Sequence, residues 1–249
     1  MTVMPESLKR SNHGRATFHH QPAPGEEQVS ISLGWRYLWE FLRDGRTPIR
    51  ALSDEAVRRY LPLLYGPGRI VELGAPSEYY RRFAPRDQDY QITDCSGQAA
   101  ERVDMTQMPF ESETIDAFVS IFSLEHIYEY SKAINEVERA LKKGGRFLLV
   151  MPFLYYYHAA PDDYVRLTKS ALLRLLEGFR ILAIRSLGSR ALFVAEMYHE
   201  KSEMGHRSSW LRRLLLRCIG AAFLAAHIWR PASEEAYASA YLVVCERPQ

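Results

Sequence analysis

The chain has 249 residues, 47% hydrophobic and 25% charged, an ordinary balance for one large folded domain with a real core. A formal net charge of +2 gives no electrostatic case for a nucleic-acid partner, and none is expected. Cys95, Cys218 and Cys245 stand far apart without metal-ligand spacing, so no metal is expected and reduced thiols are.

Residues 1–28 are polar and broken by prolines and glycines, as in "NHGRATFHHQPAPGEEQ", and read as a flexible arm. His19 and His20 lie in it without partner ligands. No apolar leader is visible, which makes a cytoplasmic location the expectation. The remainder, 29–249, reads as a single domain. It opens with "SLGWRYLWEFLRDG", a helix with Leu38, Phe41 and Leu42 near one face, ending at Gly45. A second helix, "SDEAVRRYLPLL", is expected to start at Ser53 as N-cap and to kink or stop at Pro62.

From Arg69 the rhythm changes. Short apolar runs ("RIVELG", "YQITD", "IDAFVSIF", "RFLLVMPF") are separated by crossover-length spacers. Between the last two, "EYSKAINEVERALKKGG" is helical in period, with Ile134, Val137 and Leu141 on one stripe and Gly144-Gly145 as its break. This pattern predicts an α/β fold: a doubly wound, mostly parallel, seven-stranded Rossmann-like sheet with helices on both faces. The last run, "YASAYLVVCERP", is expected as a closing antiparallel strand at the sheet edge.

Ligands of such sheets sit beyond the carboxyl ends of the strands. There the sequence offers Glu72, Gly74 and Ala75 after the first strand, Asp94 after the second, and then Asp104 with Met105. A carboxylate suits both hydroxyls of a ribose, an acid can accept from an exocyclic amine, and a methionine can lie on a ring face. Solvated loop acids account for each of them equally well when taken singly.

The stretch "VDMTQMPFESETIDAFVSIFSLEHIYEYSKAINEVERALKKGGRFLLVMPF" resembles the class I S-adenosylmethionine-dependent methyltransferases, and the likeness extends over roughly residues 65–185 plus the last strand. It implies S-adenosylmethionine as cofactor, held by Glu72, Gly74, Ala75, Asp94, Asp104 and Met105, with Ser120 and Ile121 beside it at the fourth strand. One departure is plain: where that family repeats glycine, this chain has Pro76 and Glu78, and proline has no amide hydrogen to donate.

Past the fifth strand, "MPFLYYYHAAPDDYVRLTKS" gathers aromatic and polar residues and resembles a segment of methyltransferases linked to surface-glycan and lipid-linked sugar synthesis. His158 is the candidate base, with His126 second; Tyr157, Asp163, Tyr164 and Arg166 are candidate acceptor contacts. A structural link from His158 to Asp163 is the alternative. Thr168 reads as an N-cap.

Residues 208–231 form the most apolar segment and are expected as a helix, with Arg212, Arg213 and Arg217 within one arc and an uninterrupted apolar run after Arg217 that is too short to span a bilayer. Three readings stay open for it: contact with the inner membrane surface, a homodimer face, or a cover for the core. The functional expectation is methyl transfer to an oxygen of a glycan, lipid-linked or other small molecule. The alternative is a non-catalytic protein of the same fold that partners another enzyme.

Overall fold

The computed structural model describes residues 31, 33–44, 46–96, 101–159, 161–203, 210–231 and 235–249. The expected arm, His19, His20 and the helix stop at Gly45 lie outside the described residues. In chain order the elements are α1 (Trp35–Asp44), α2 (Pro48–Tyr60), β1 (Ile70–Leu73), β2 (Tyr90–Asp94), β3 (Glu101–Arg102), β4 (Ile115–Ile121) and α3 (Tyr130–Ala140). There follow β5 (Leu141–Pro152), α4 (Lys169–Leu175), β6 (Arg180–Leu187), α5 (Arg190–Glu203), α6 (Trp210–Trp229) and β7 (Ala240–Glu246).

Among the described residues seven strands make one sheet in the order β3-β2-β1-β4-β5-β7-β6. All pairings are parallel except those of β7, which runs antiparallel to both neighbours. The expected direction of β7 is therefore found, but not its place. It lies between β5 and β6, inside the sheet, because both of its faces are apolar and an edge would leave one ladder of hydrogen bonds open.

Continuous apolar strands mean cores on both faces. Along β5, Leu148 and Val150 join the layer under α1, α2, α5 and α6, while Phe147, Leu149 and Met151 join the layer under α3 and α4. β7 divides in the same way, with Leu242 and Val244 on one side and Tyr241, Val243 and Cys245 on the other.

Two local expectations are corrected. Helix α2 begins at Pro48 after Thr47, so Ser53 is no N-cap but a buried residue in mid-helix. Proline at the first turn is preorganised for a helical start, and this outweighs the Ser-Asp-Glu signal. Helix α3 ends at Ala140, and Leu141 already pairs with Ile115 in the sheet, so Lys142–Gly145 form an irregularity within β5 rather than the end of the helix. Between β1 and β2 the described chain holds only the short turn Arg81–Phe83, so no α-helix follows the first strand. Pro62 falls where expected, just after α2, within the turn Leu61–Leu64.

Helix α1 is fastened by Phe41, which is wholly buried. Its ring lies 5.2 Å from that of His199 and faces Gly220 of α6 so closely that an added Cβ there would come within 3.1 Å. Phe41→Ala should lower unfolding free energy by about 3–5 kcal/mol. Chemical denaturation checks this, and an unchanged midpoint would mean that α1 does not belong to the cooperative core.

Candidate active site

The carboxyl ends of β1, β2, β3 and β4 lie side by side, since Leu73 pairs with Thr93 and Ser120, and Asp94 with Arg102. Gly74, Asp94 and Asp104 therefore follow neighbouring strand ends on one edge of the sheet. Gly74 turns there with a left-handed φ of 72°. A Cβ at Gly74 would come within 2.5 Å of the Ser123 side chain, so the position excludes every other residue twice over, by backbone and by space. Ser123 Oγ donates to the Gly74 carbonyl at 3.1 Å. That bond ties the loop after β1 to the end of β4. Phe122, beside it, also has a left-handed φ of 52°, a strained conformation for an aromatic residue and one concentrated at functional sites.

Glu72 is buried, and its Oε2 accepts from the Tyr90 hydroxyl at 2.8 Å. Burial pushes its carboxyl up to about 7, against the smaller downward pull of that hydrogen bond. Asp94 is buried too, and its Oδ2 accepts from the amide of Ser96 at 3.0 Å and from the Ser96 hydroxyl. Asp104 is exposed, and Oδ1 accepts from the amide and hydroxyl of Thr106, both at 2.8 Å. The Met105 side chain packs into the α3 layer of the core. Ser120 is fully buried with an unpartnered hydroxyl, and Ile121 is buried beside it.

The loop after β1 is held by side chains instead of glycines. Ala75 N donates to the Thr93 carbonyl at 2.8 Å, which uses that amide within the fold. Pro76 and Glu78 are exposed. Tyr79 then hydrogen-bonds the buried carboxylate of Asp54 in α2, which also takes an ion pair from Arg46.

On the acceptor side, the Asp163 carboxylate is gripped by both terminal nitrogens of Arg166 and accepts from His158 N at 2.9 Å. Arg166 also donates to the Tyr156 carbonyl at 3.1 Å, and Tyr164 N to the Glu125 carbonyl at 2.9 Å. Asp163 and Arg166 thus shape the loop, whereas the rings of Tyr157 and Tyr164 are exposed. Thr168 Oγ1 accepts from Ala171 N at 3.3 Å, the expected N-cap. His126 and His158 meet edge to face, 5.1 Å between ring centres. Burial lowers the affinity of His158 for a proton.

Sequence reasoning missed Glu125, which lies under both imidazoles, wholly buried, with its carboxyl pushed up to about 7 by burial. Its signal was there in "SLEHI", where the acid directly precedes His126. A cavity of about 330 Å³ opens at the opposite, amino, end of the strands, lined by Gly66, Gly68, Asp116 and Lys142. Ligands of such sheets bind at the carboxyl end, so this cavity lies on the far side of the sheet from the candidate site.

Residues 68–149 match the family described as "Methyltransferase domain". The matched segment is about a third of the chain, and the sheet built on it is the Rossmann-like methyltransferase fold.

The chain is 26% identical over 109 residues to a demethylmenaquinone methyltransferase of Clavibacter sepedonicus, a match covering 44% of this chain and 42% of that protein. It is 41% identical over 46 residues to the sterol 4-C-methyltransferase strm-1 of Caenorhabditis elegans, over 18% of this chain and 14% of that one. The chain thus spans less than half the length of these curated relatives. Among solved structures it resembles the cyclase SpnF, with a TM-score of 0.54 at 20% identity over 83% of this chain and 85% of that one. It also resembles a putative sarcosine dimethylglycine methyltransferase of Galdieria sulphuraria, with a TM-score of 0.53 at 15% identity over 89% and 94%. These likenesses concern the fold.

The family's cofactor carries a sulfonium, an ammonium and a ribose. The residues of the methyltransferase domain fit it: a buried carboxylate at Glu72 for positive charge, a cradle at Gly74 that no Cβ could enter, an acid at Asp94 for hydroxyls, and a spare buried hydroxyl at Ser120.

Because the Glu72 carboxyl is raised in the folded chain, the unfolded chain ionises first, at about 4.5. Folding is therefore favoured by this group at low pH, and that contribution is lost as pH rises from about 4.5 to about 7. Glu72→Gln keeps an acceptor for Tyr90 and removes the titration. Its stability relative to wild type should grow over this window by up to about 3 kcal/mol and then level off. Denaturation at a series of pH values reads this, and parallel curves would refute the assignment.

Proposed function

We propose that this protein is an S-adenosylmethionine-dependent methyltransferase that methylates an oxygen of a small-molecule acceptor. The observation that carries the reading is the bond from Ser123 to Gly74, which joins the loop after β1 to the strand end leading directly into Glu125 and His126. The cofactor supplies an electrophilic methyl group on a sulfonium that leaves as a neutral thioether. Glu72 offers a negative charge for the cationic end, and Asp94 and Asp104 offer acceptors for ribose and amine. On the other side the neutral His158 receives the acceptor's proton at Nε2 as the new O–CH3 bond forms. Positioning supplies most of the rate, since the sulfonium is already reactive.

Calorimetric titration with S-adenosylmethionine tests the first half. Asp94→Ala should weaken binding by about 1–3 kcal/mol. His158→Ala should lower single-turnover rate by about 10²–10⁴-fold while leaving cofactor affinity nearly unchanged. A wild-type protein that binds no cofactor at millimolar concentration would favour a non-catalytic member of the fold, a reading that gains some support from Pro76 and the missing helix after β1.

The acceptor proposed is carried at a membrane surface, as a lipid-linked intermediate is. Among the described residues no helix is long and apolar enough to cross a membrane. The first turns of α6, however, expose Trp210, Leu211, Leu214 and Leu215 together with Arg212 and Arg213. Tryptophan, leucine and arginine on one projecting helix end suit the boundary between lipid headgroups and chains. The sterol 4-C-methyltransferase is named for methylation at carbon, which makes a lipid-like acceptor methylated at carbon the second reading. The protein should bind anionic vesicles in a salt-sensitive way, and Leu214→Glu should abolish it. Sedimentation with vesicles reads the outcome, and equal recovery with and without lipid would leave α6 as a cover or dimer face.

A further inference from the structure

We propose that Glu125, His126 and His158 form a binding site for one first-row divalent cation of the zinc, cobalt or nickel kind. One ligand atom from each residue lies within 4.8 Å of the others. His126 Nε2 stands 3.9 Å, and His158 Nε2 4.0 Å, from Glu125 Oε1.

The hydrogens of this cluster point away from its centre. His126 Nδ1 lies 2.6 Å from the Asp162 carbonyl oxygen, which only accepts, so Nδ1 carries the hydrogen and Nε2 the lone pair. His158 Nδ1 faces two acceptors, the Tyr156 carbonyl at 3.3 Å and Asp163 Oδ2 at 3.4 Å, against one donor, Arg166 Nη2 at 3.4 Å. The two hydrogens of Arg166 Nη2 already go to Asp163 Oδ2 at 2.6 Å and to the Tyr156 carbonyl at 3.1 Å, which leaves the His158 hydrogen on Nδ1 facing acceptors. Two ring lone pairs and a carboxylate oxygen converge with no donor between them.

Glu125 supplies the second, independent observation. Its side chain is fully buried, and neither oxygen has a hydrogen-bond partner among the described residues. A buried acceptor left unpaired is costly, and lone pairs facing one another repel. A cation at the common point reverses both effects. The acceptors behind the two imidazoles are the support that metal-bound histidines ordinarily have.

Geometry and chemistry agree. Bonds of about 2.0–2.1 Å in a tetrahedral site set ligand atoms about 3.4 Å apart, so closure draws each histidine about 0.5 Å nearer Glu125 and the widest pair together by at most about 1.4 Å. Two imidazoles with one carboxylate favour transition metals over magnesium or calcium. The carboxylate is sealed beneath, while the His126 and His158 side chains are 16% and 29% exposed, which leaves the outer coordination positions facing the cleft. Arg166 is neutralised by its bidentate pairing with Asp163, and the Arg50 guanidinium lies over the Phe122 ring. Metal bound there would lower the pKa of an acceptor hydroxyl so that its proton passes to water, and His158, occupied as a ligand, would then position the metal instead of taking the proton. That use rests on the methyl-transfer reading; the binding itself does not.

The test is titration of tag-free, chelator-treated full chain with Co(II) and Zn(II), without cofactor or acceptor, followed by calorimetry and by Co(II) visible absorption. One equivalent should bind, and Glu125→Gln, His126→Ala and His158→Ala should each weaken it by at least about 10–100-fold. The chain has eight histidines, so binding that survives all three substitutions lies elsewhere and overturns the proposal. A wild type that binds no Co(II) at millimolar concentration overturns it as well, with a proton as the only occupant. Should a variant fail to fold, proton NMR of the wild type decides: Co(II) should shift two exchangeable imidazole Nδ1 protons, and unshifted signals refute the site. Cofactor titration of the metal-free chain separates the two readings. Cofactor binding without metal binding removes only the metal site, and the converse removes only the transferase.

Discussion

The contact between Gly74 and Ser123 is the constraint on which the cleft depends. A left-handed turn with no room for a Cβ lets the loop after β1 fold onto the end of β4, and the Ser123 hydroxyl holds it there. The donor side hangs from one partner of that contact: Gly74 follows Glu72 at once and neighbours the strand end that carries Asp94. The acceptor side hangs from the other, since Ser123 leads into Glu125 and His126. Moving either partner would separate the two halves of the site.

Two buried carboxylates give the cleft its electrostatic character. Glu72 and Glu125 both sit at strand ends, both are raised to about 7 by burial, and they differ in their neighbours. Glu72 is supported by the Tyr90 hydroxyl, whereas among the described residues no other residue donates a hydrogen bond to the Glu125 carboxyl, which has two histidines above it. A protein keeps an incompletely paired buried acid where a positively charged occupant compensates it. The first acid suits a cationic cofactor, and the second suits a proton or a metal.

Where the family's glycines are missing, side-chain contacts hold the loop after β1. Tyr79 and Asp54 couple it to α2, and Arg46 extends the network to Glu40 in α1. The short turn Arg81–Phe83 occupies the place of a crossover helix, so amides aligned at a helix start play no part here. In the proposed reading, the cofactor's charged end is met by Glu72 more than by backbone donors.

By itself the sequence determined the sheet, because strands buried on both faces must be continuously apolar and the spacers between them have crossover length. It also marked Gly74, Asp94, Asp104, His126 and His158, since residues just past a strand lie at the ligand edge whatever the surrounding loops do. Only the tertiary structure decided the place of β7, which closes between β5 and β6 through pairings distant in sequence. It decided that α2 starts at Pro48 and buries Ser53, a local signal overridden by packing. It alone paired Asp163 with Arg166 and brought Glu125 beneath His126 and His158. Glu125 and His158 sit on segments separated by a helix and a strand, and no spacing rule links them. Their meeting follows from the parallel pairing of β4 with β5, which sets the ends of the two strands side by side.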